Sequence, residues 1–192
     1  MEMAVRPRDR RDPRAARPLH SSVGMQLSPD PTATLPIRCF DWSSLQAGFA
    51  QILEHRALVR LAGAREMTAL DRVAGDLGRI EQMLGVLAIR ANESASTPLR
   101  GLVVRTYRWA MAVATTLTDL DVATLDRETT PDEAEAFARL VTTEYLALLD
   151  PTFDELLPRL ASGPRADASL HWDVETLRVG VERVILDVYA IG

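Results

Sequence analysis

Three helix starts written in one local code constrain this chain more than anything else in it. Thr97-Pro98, Thr130-Pro131 and Asp150-Pro151 each set a capping oxygen before a proline. Proline suits a helix's first turn, where its missing N–H would find no partner anyway. Asp132 and Glu133 add negative charge at the second of these starts, where the helix dipole is positive. Asp41 offers a further cap ahead of Trp42. No stretch alternates apolar and polar residues as a half-buried strand would. The punctuation predicts an all-α chain, a multi-helix bundle of about six helices.

The apolar positions agree. Helices are expected over 42–62, 65–90, 98–118, 131–149, 151–161 and 170–191. In 65–90, Met67, Leu70, Ala74, Leu77, Leu84 and Leu87 recur at helical spacing, widened by Val73 and Ile80. Gly75, Gly78 and Gly85 weaken that helix, by about 1 kcal/mol each against alanine. They suggest either a closely packed neighbour or a bend beside a ligand cavity. Helix 98–118 is apolar on two sides. Leu99, Val103, Ala110, Val113 and Leu117 line one, and Val104, Tyr107 and Met111 the other. That pattern predicts a central helix, with Arg100, Arg105 and Arg108 marking its wet side. Ala134, Phe137, Val141, Tyr145 and Leu148 stripe the next helix, and Phe153, Leu156, Leu157 and Leu160 the short one after it.

The last helix carries two apolar rows. Val174, Leu177, Val181, Val184, Val188 and Ile191 step alternately by three and four, a heptad seam. Trp172, Val179 and Leu186 form a second row seven residues apart. One row can pack inward while the other pairs with a second copy of the chain. A helix buried on both sides within one protomer is the other possibility.

Residues 1–40 differ from this body. Six arginines face only Glu2, Asp9 and Asp12 in the first twenty positions, and prolines stand at 7, 13, 18, 29, 31 and 36. So little apolar surface cannot offset the entropy of ordering, and a disordered N-terminal tail is expected. It reads as a solvated tail, as sequence ahead of a true start at Met25, or as a basic arm for phosphate or an acidic partner. All 22 basic residues of the chain are arginine, which we attribute to codon bias rather than to nucleic-acid binding. The formal charge of −5 argues against holding nucleic acid through the overall field. With one cysteine, Cys39, no internal disulfide forms. No apolar run approaches the roughly 20 residues of a membrane span. No apolar segment follows the basic start, so a secretory signal is not expected. A cytoplasmic location is expected.

Chemistry-bearing motifs are sparse. His20, His55 and His171 show no metal-ligand spacing, and no Glu-x-x-His pair, nucleophile elbow or phosphate-binding glycine loop occurs. Asp119, Asp121 and Asp126 read as a solvated turn at a helix end. The expectation is a protein that is not an enzyme, with no cofactor and no metal.

Residues 131–192 resemble the end of the ligand-binding domain of tetracycline-repressor (TetR) family regulators. An acid-rich helix opens at Pro131-Asp132-Glu133-Ala134. It passes through Leu149-Asp150-Pro151-Thr152-Phe153 to Leu156-Leu157-Pro158-Arg159-Leu160. A polar loop from Ser162 to Ser169 then leads to a final helix containing Gly180-Val181-Glu182-Arg183-Val184. The resemblance implies a homodimeric helical sensor of a small apolar effector that regulates transcription. Helices 131–149 and 170–191 would form a four-helix dimer interface, with Leu177, Val181, Val184 and Val188 as candidate contacts. Met83, Leu87, Tyr107, Met111 and Phe137 are the candidate pocket residues. DNA binding is left open, because no helix-turn-helix is legible in 1–40 or 41–90. The alternative is a helical protein–protein interaction module with no small-molecule ligand.

Overall fold

The computed structural model describes residues 41–62, 68–124, 127–162 and 167–191. The expected tail, Met67 and Asp126 lie outside them. The helices are α1 (Trp42–Ala62), α2 (Ala69–Glu93), α3 (Thr97–Ala123), α4 (Pro131–Glu144), α5 (Asp150–Ser162) and α6 (Ala168–Tyr189). A π-helical turn, Tyr145–Leu149, joins α4 to α5 in one continuous rod. Among the described residues there is no strand, and the all-α bundle is as expected.

Two of the four expected starts, at Asp41 and Thr130, follow the expected chemistry. The Ser44 N–H donates to Asp41 Oδ1 at 3.4 Å. Thr130 and Glu133 form a reciprocal capping box at α4, with the Thr130 N–H donating to Glu133 Oε2 at 2.9 Å. α6 opens on a cap not expected from the sequence: Asp167 Oδ1 accepts from the Leu170 N–H at 3.0 Å. At α3 the cap sits one residue earlier than expected. Ser96 Oγ accepts from the Leu99 N–H, while Thr97 is already helical.

The last expected start is not a start. Asp150 has helical dihedrals, φ −54° and ψ −50°, and its N–H bonds to the Tyr145 carbonyl five residues back. Proline inside a helix lacks a donor and crowds the carbonyl a turn before it. The wider π turn ahead of Pro151 takes up that conflict, so the chain continues instead of breaking.

α6 lies between two antiparallel neighbours. On one side is α2: Arg72 Nε is 3.8 Å from Asp187, Arg183 Nε is 3.4 Å from Asp76, and Arg90 Nε is 3.1 Å from Asp173. On the other is the α4–α5 rod, where Thr142 bonds the Tyr189 hydroxyl and Arg178 reaches Asp154. Residues Val174, Leu177, Val181, Val184 and Val188 point between these neighbours into the core. α3 crosses behind, with Leu102, Val103, Trp109, Ala110, Val113 and Leu117 buried, the central role expected of it. The Trp109 indole N–H donates to the Val141 carbonyl at 3.1 Å, satisfying its one polar atom inside the core. α1 lies across α2 and α3.

Candidate functional site

The five pocket candidates divide between the core and its edge. Leu87 and Phe137 are fully buried in the core. Met83, Tyr107 and Met111 are half-buried and packed against it. The groove between α2 and α3 is filled by α1. The Trp42 ring stands edge-on to Tyr107 with centroids 6.0 Å apart, and Phe49 does the same at 6.3 Å. A Cβ on Gly85 would lie 3.2 Å from Trp42 Nε1, so this glycine serves the close approach of α1. Nothing comparable faces Gly75 or Gly78. Burial pushes the Tyr107 hydroxyl's pKa up. Trp42 and Phe49 escape a periodicity search because α1 spreads its apolar residues around the helix.

α1 is fastened by charge as well. Arg56 Nη2 is 2.9 Å from Asp71 Oδ1 on α2, and its Nε is 3.0 Å from Asp121 Oδ2 on α3. All three side chains are nearly closed to water. This corrects the expectation of a solvated turn at Asp121. α3 runs on to Ala123, and the turn that holds Asp121 packs beneath α1. One arginine serving two buried carboxylates from different helices is a structural clamp. Removing it would leave two buried anions, an expensive state.

The dimer-contact candidates also need correction. Leu177, Val181, Val184 and Val188 each have 0% exposure within a single chain. The seam is core because α2 and the α4–α5 rod close over it from both sides. The row left outside is the other one. Trp172, Val179 and Leu186 are 70%, 55% and 69% exposed. Val86 and Ile89 on α2 are exposed too, at the end where Arg90 ties α2 to Asp173.

A polar network binds α6 to the rod beside the π turn. Arg178 Nε lies 3.0 Å from Glu182, and its Nη1 3.3 Å from Asp154. The Tyr145 hydroxyl is 3.1 Å from Asp150 Oδ1 and 3.4 Å from Glu182 Oε1. Burial, then the bond to Asp150, pushes the Tyr145 pKa up to about 12, so this phenol stays protonated and donates. On the opposite flank, Asp76 meets Arg79 and Arg183, and its carboxyl is raised by burial and by a bond with Asp187. These groups hold helices together. Their partners are each other.

Among the described residues, clefts lie outside the core at three places. One, of about 580 Å³, runs along α4 at Asp132, Ala136, Arg139, Leu140 and Thr143. Another, of about 360 Å³, is bounded by Phe153, Leu157, His171, Glu175 and Arg178. The third, of about 340 Å³, lies between α3 and the π turn, where Arg105 and Arg108 face Ala147, Leu148, Pro151 and Thr152. None of these three is lined by any of the five pocket candidates. Among the described residues no three His, Cys, Asp or Glu side chains gather as a metal site, and no helix is long and apolar enough to cross a membrane. No family model matches the chain, nor does any curated protein or solved structure.

Proposed function

We propose that this chain is a helical association domain that works as a homodimer, with the outward face of α6 as its contact. The row of Trp172, Val179 and Leu186, each more than half exposed, carries this reading. Large apolar side chains on one stripe, seven residues apart, suit a second helix laid along them.

A second copy fits that stripe for a reason of symmetry. Across a two-fold axis, contacts occur in reciprocal pairs. With the axis beside Val179, an antiparallel copy of α6 sets Trp172 against Leu186 of the copy, and the reverse. The same register brings Arg183 to Glu175 of the copy, so an opposite-charge pair forms twice. Val86 and Ile89 extend the apolar surface at the Trp172 end. A sensor built around Met83, Leu87, Tyr107, Met111 and Phe137 has less support, because α1 side chains occupy the groove and Leu87 and Phe137 are closed into the core.

Multi-angle light scattering of the full chain tests the proposal. The expected mass is twice that of one chain at tens of micromolar. Val179→Asp halves it and leaves helicity by circular dichroism unchanged. A monomeric parent chain, or a Val179→Asp variant that stays dimeric, sinks the reading.

A further inference from the structure

We propose that the cleft between α3 and the π turn binds a small monocarboxylate with an apolar body, of the fatty-acid type. The cleft measures about 340 Å³, within the usual range for small-molecule sites. Its six lining residues divide by chemistry. Arg105 and Arg108, one helical turn apart on α3, supply two positive charges; Ala147, Leu148 and Pro151 supply an apolar wall. None of the six is acidic, in a chain whose acids outnumber its bases by 27 to 22.

The contrast with other arginines strengthens the case. Arginines elsewhere, such as Arg72, Arg90, Arg178 and Arg183, are matched by carboxylates of the chain itself. Among the described residues Arg108 makes no ion pair and no hydrogen bond, and it is exposed at the cleft. A guanidinium fork matches a carboxylate in shape and charge.

The site is also built. Arg105 Nη1 donates to Thr152 Oγ1 at 2.7 Å, and that hydroxyl donates to the Leu148 carbonyl at 2.9 Å. One threonine therefore fixes both the cation and the wall opposite. Ala147 and Leu148 lie in the π turn, and such turns recur at functional sites. The apolar wall selects a carboxylate with a chain over inorganic phosphate. Each methylene laid on it strengthens binding by up to about fourfold. Thr142, Tyr145, Asp150 and Asp154 tie the rod to α6, whereas the cleft opens toward α3. Ligand binding and dimerisation therefore use separate surfaces.

The test is titration of the full, isotopically labelled chain with sodium octanoate, followed by NMR. The expected result is saturable shifts of the Ala147, Leu148 and Thr152 amides. Butyrate should bind at least tenfold more weakly, since about four fewer methylenes meet the wall. Arg108→Gln should weaken octanoate at least tenfold with unchanged circular dichroism. The proposal is overturned if octanoate gives no saturable shift at these amides, or if Arg108→Gln binds it equally well. It is also overturned if inorganic phosphate or butyrate binds as tightly as octanoate, because the wall would then play no part.

Discussion

The inward and outward faces of α6 make an instructive pair. Both are apolar, both repeat every seven residues, and they share one backbone. Yet Val174, Leu177, Val181, Val184 and Val188 are sealed, while Trp172, Val179 and Leu186 stand largely in water. The difference teaches that a heptad row states a need for a partner without naming one. Here α2 and the α4–α5 rod meet the need of the valine row. The larger and more aromatic row is left over, although side-chain size alone would have put tryptophan inside.

Substitutions on the two faces should separate sharply. The strongest test is Val184→Asp. It puts an unpaired carboxylate among fully buried neighbours, and the chain should lose its cooperative fold by circular dichroism rather than merely dissociate. A folded monomer would move the seam back to a subunit interface. Next comes a matched pair of leucines on the same helix. Leu177→Ala should lower unfolding free energy by about 2–5 kcal/mol in urea. Leu186→Ala should change the unfolding of the monomer by no more than about 0.5 kcal/mol, provided dilution has removed any dimer. Equal losses would erase the distinction between the faces.

The smallest effect lies away from α6 and gives a baseline. At the α4 cap, Arg127 first, then the Thr130 backbone and hydroxyl, hold the Glu133 carboxyl down from 4.5 to about 2. A depressed acid adds stability above its unfolded value and loses that contribution as pH falls toward the folded one. Glu133→Gln should therefore flatten the stability profile between pH 4.5 and about 2, and leave its shape at neutral pH unchanged. An unaltered acid limb would show that the cap contributes nothing.

Much of the fold was legible. Local codes work where their chemistry is local: Asp41, Thr130 and the α6 apolar spacing each act within a turn or two. The Asp150-Pro151 start failed because a continuing helix can absorb a proline through a π turn. Asp121 was misread because its partner, Arg56, is 65 residues away in sequence. The pocket candidates were plausible as a set from three helices. Their spacing does not reveal that α1 lies over them, with Trp42 and Phe49 against Tyr107. The arginines of the α3 cleft were visible as a wet face, but nothing in their spacing located the wall opposite.

The sequence by itself determined that the described chain is helical, where most of its helices begin, and that its last helix carries two apolar rows. These follow from backbone capping and from a 3.6-residue period, which neighbouring residues settle among themselves. Only the tertiary structure decided which row is core, which groove α1 closes, and which arginines face the α3 cleft. Those outcomes depend on long-range packing, and packing chooses among faces that periodicity leaves equivalent.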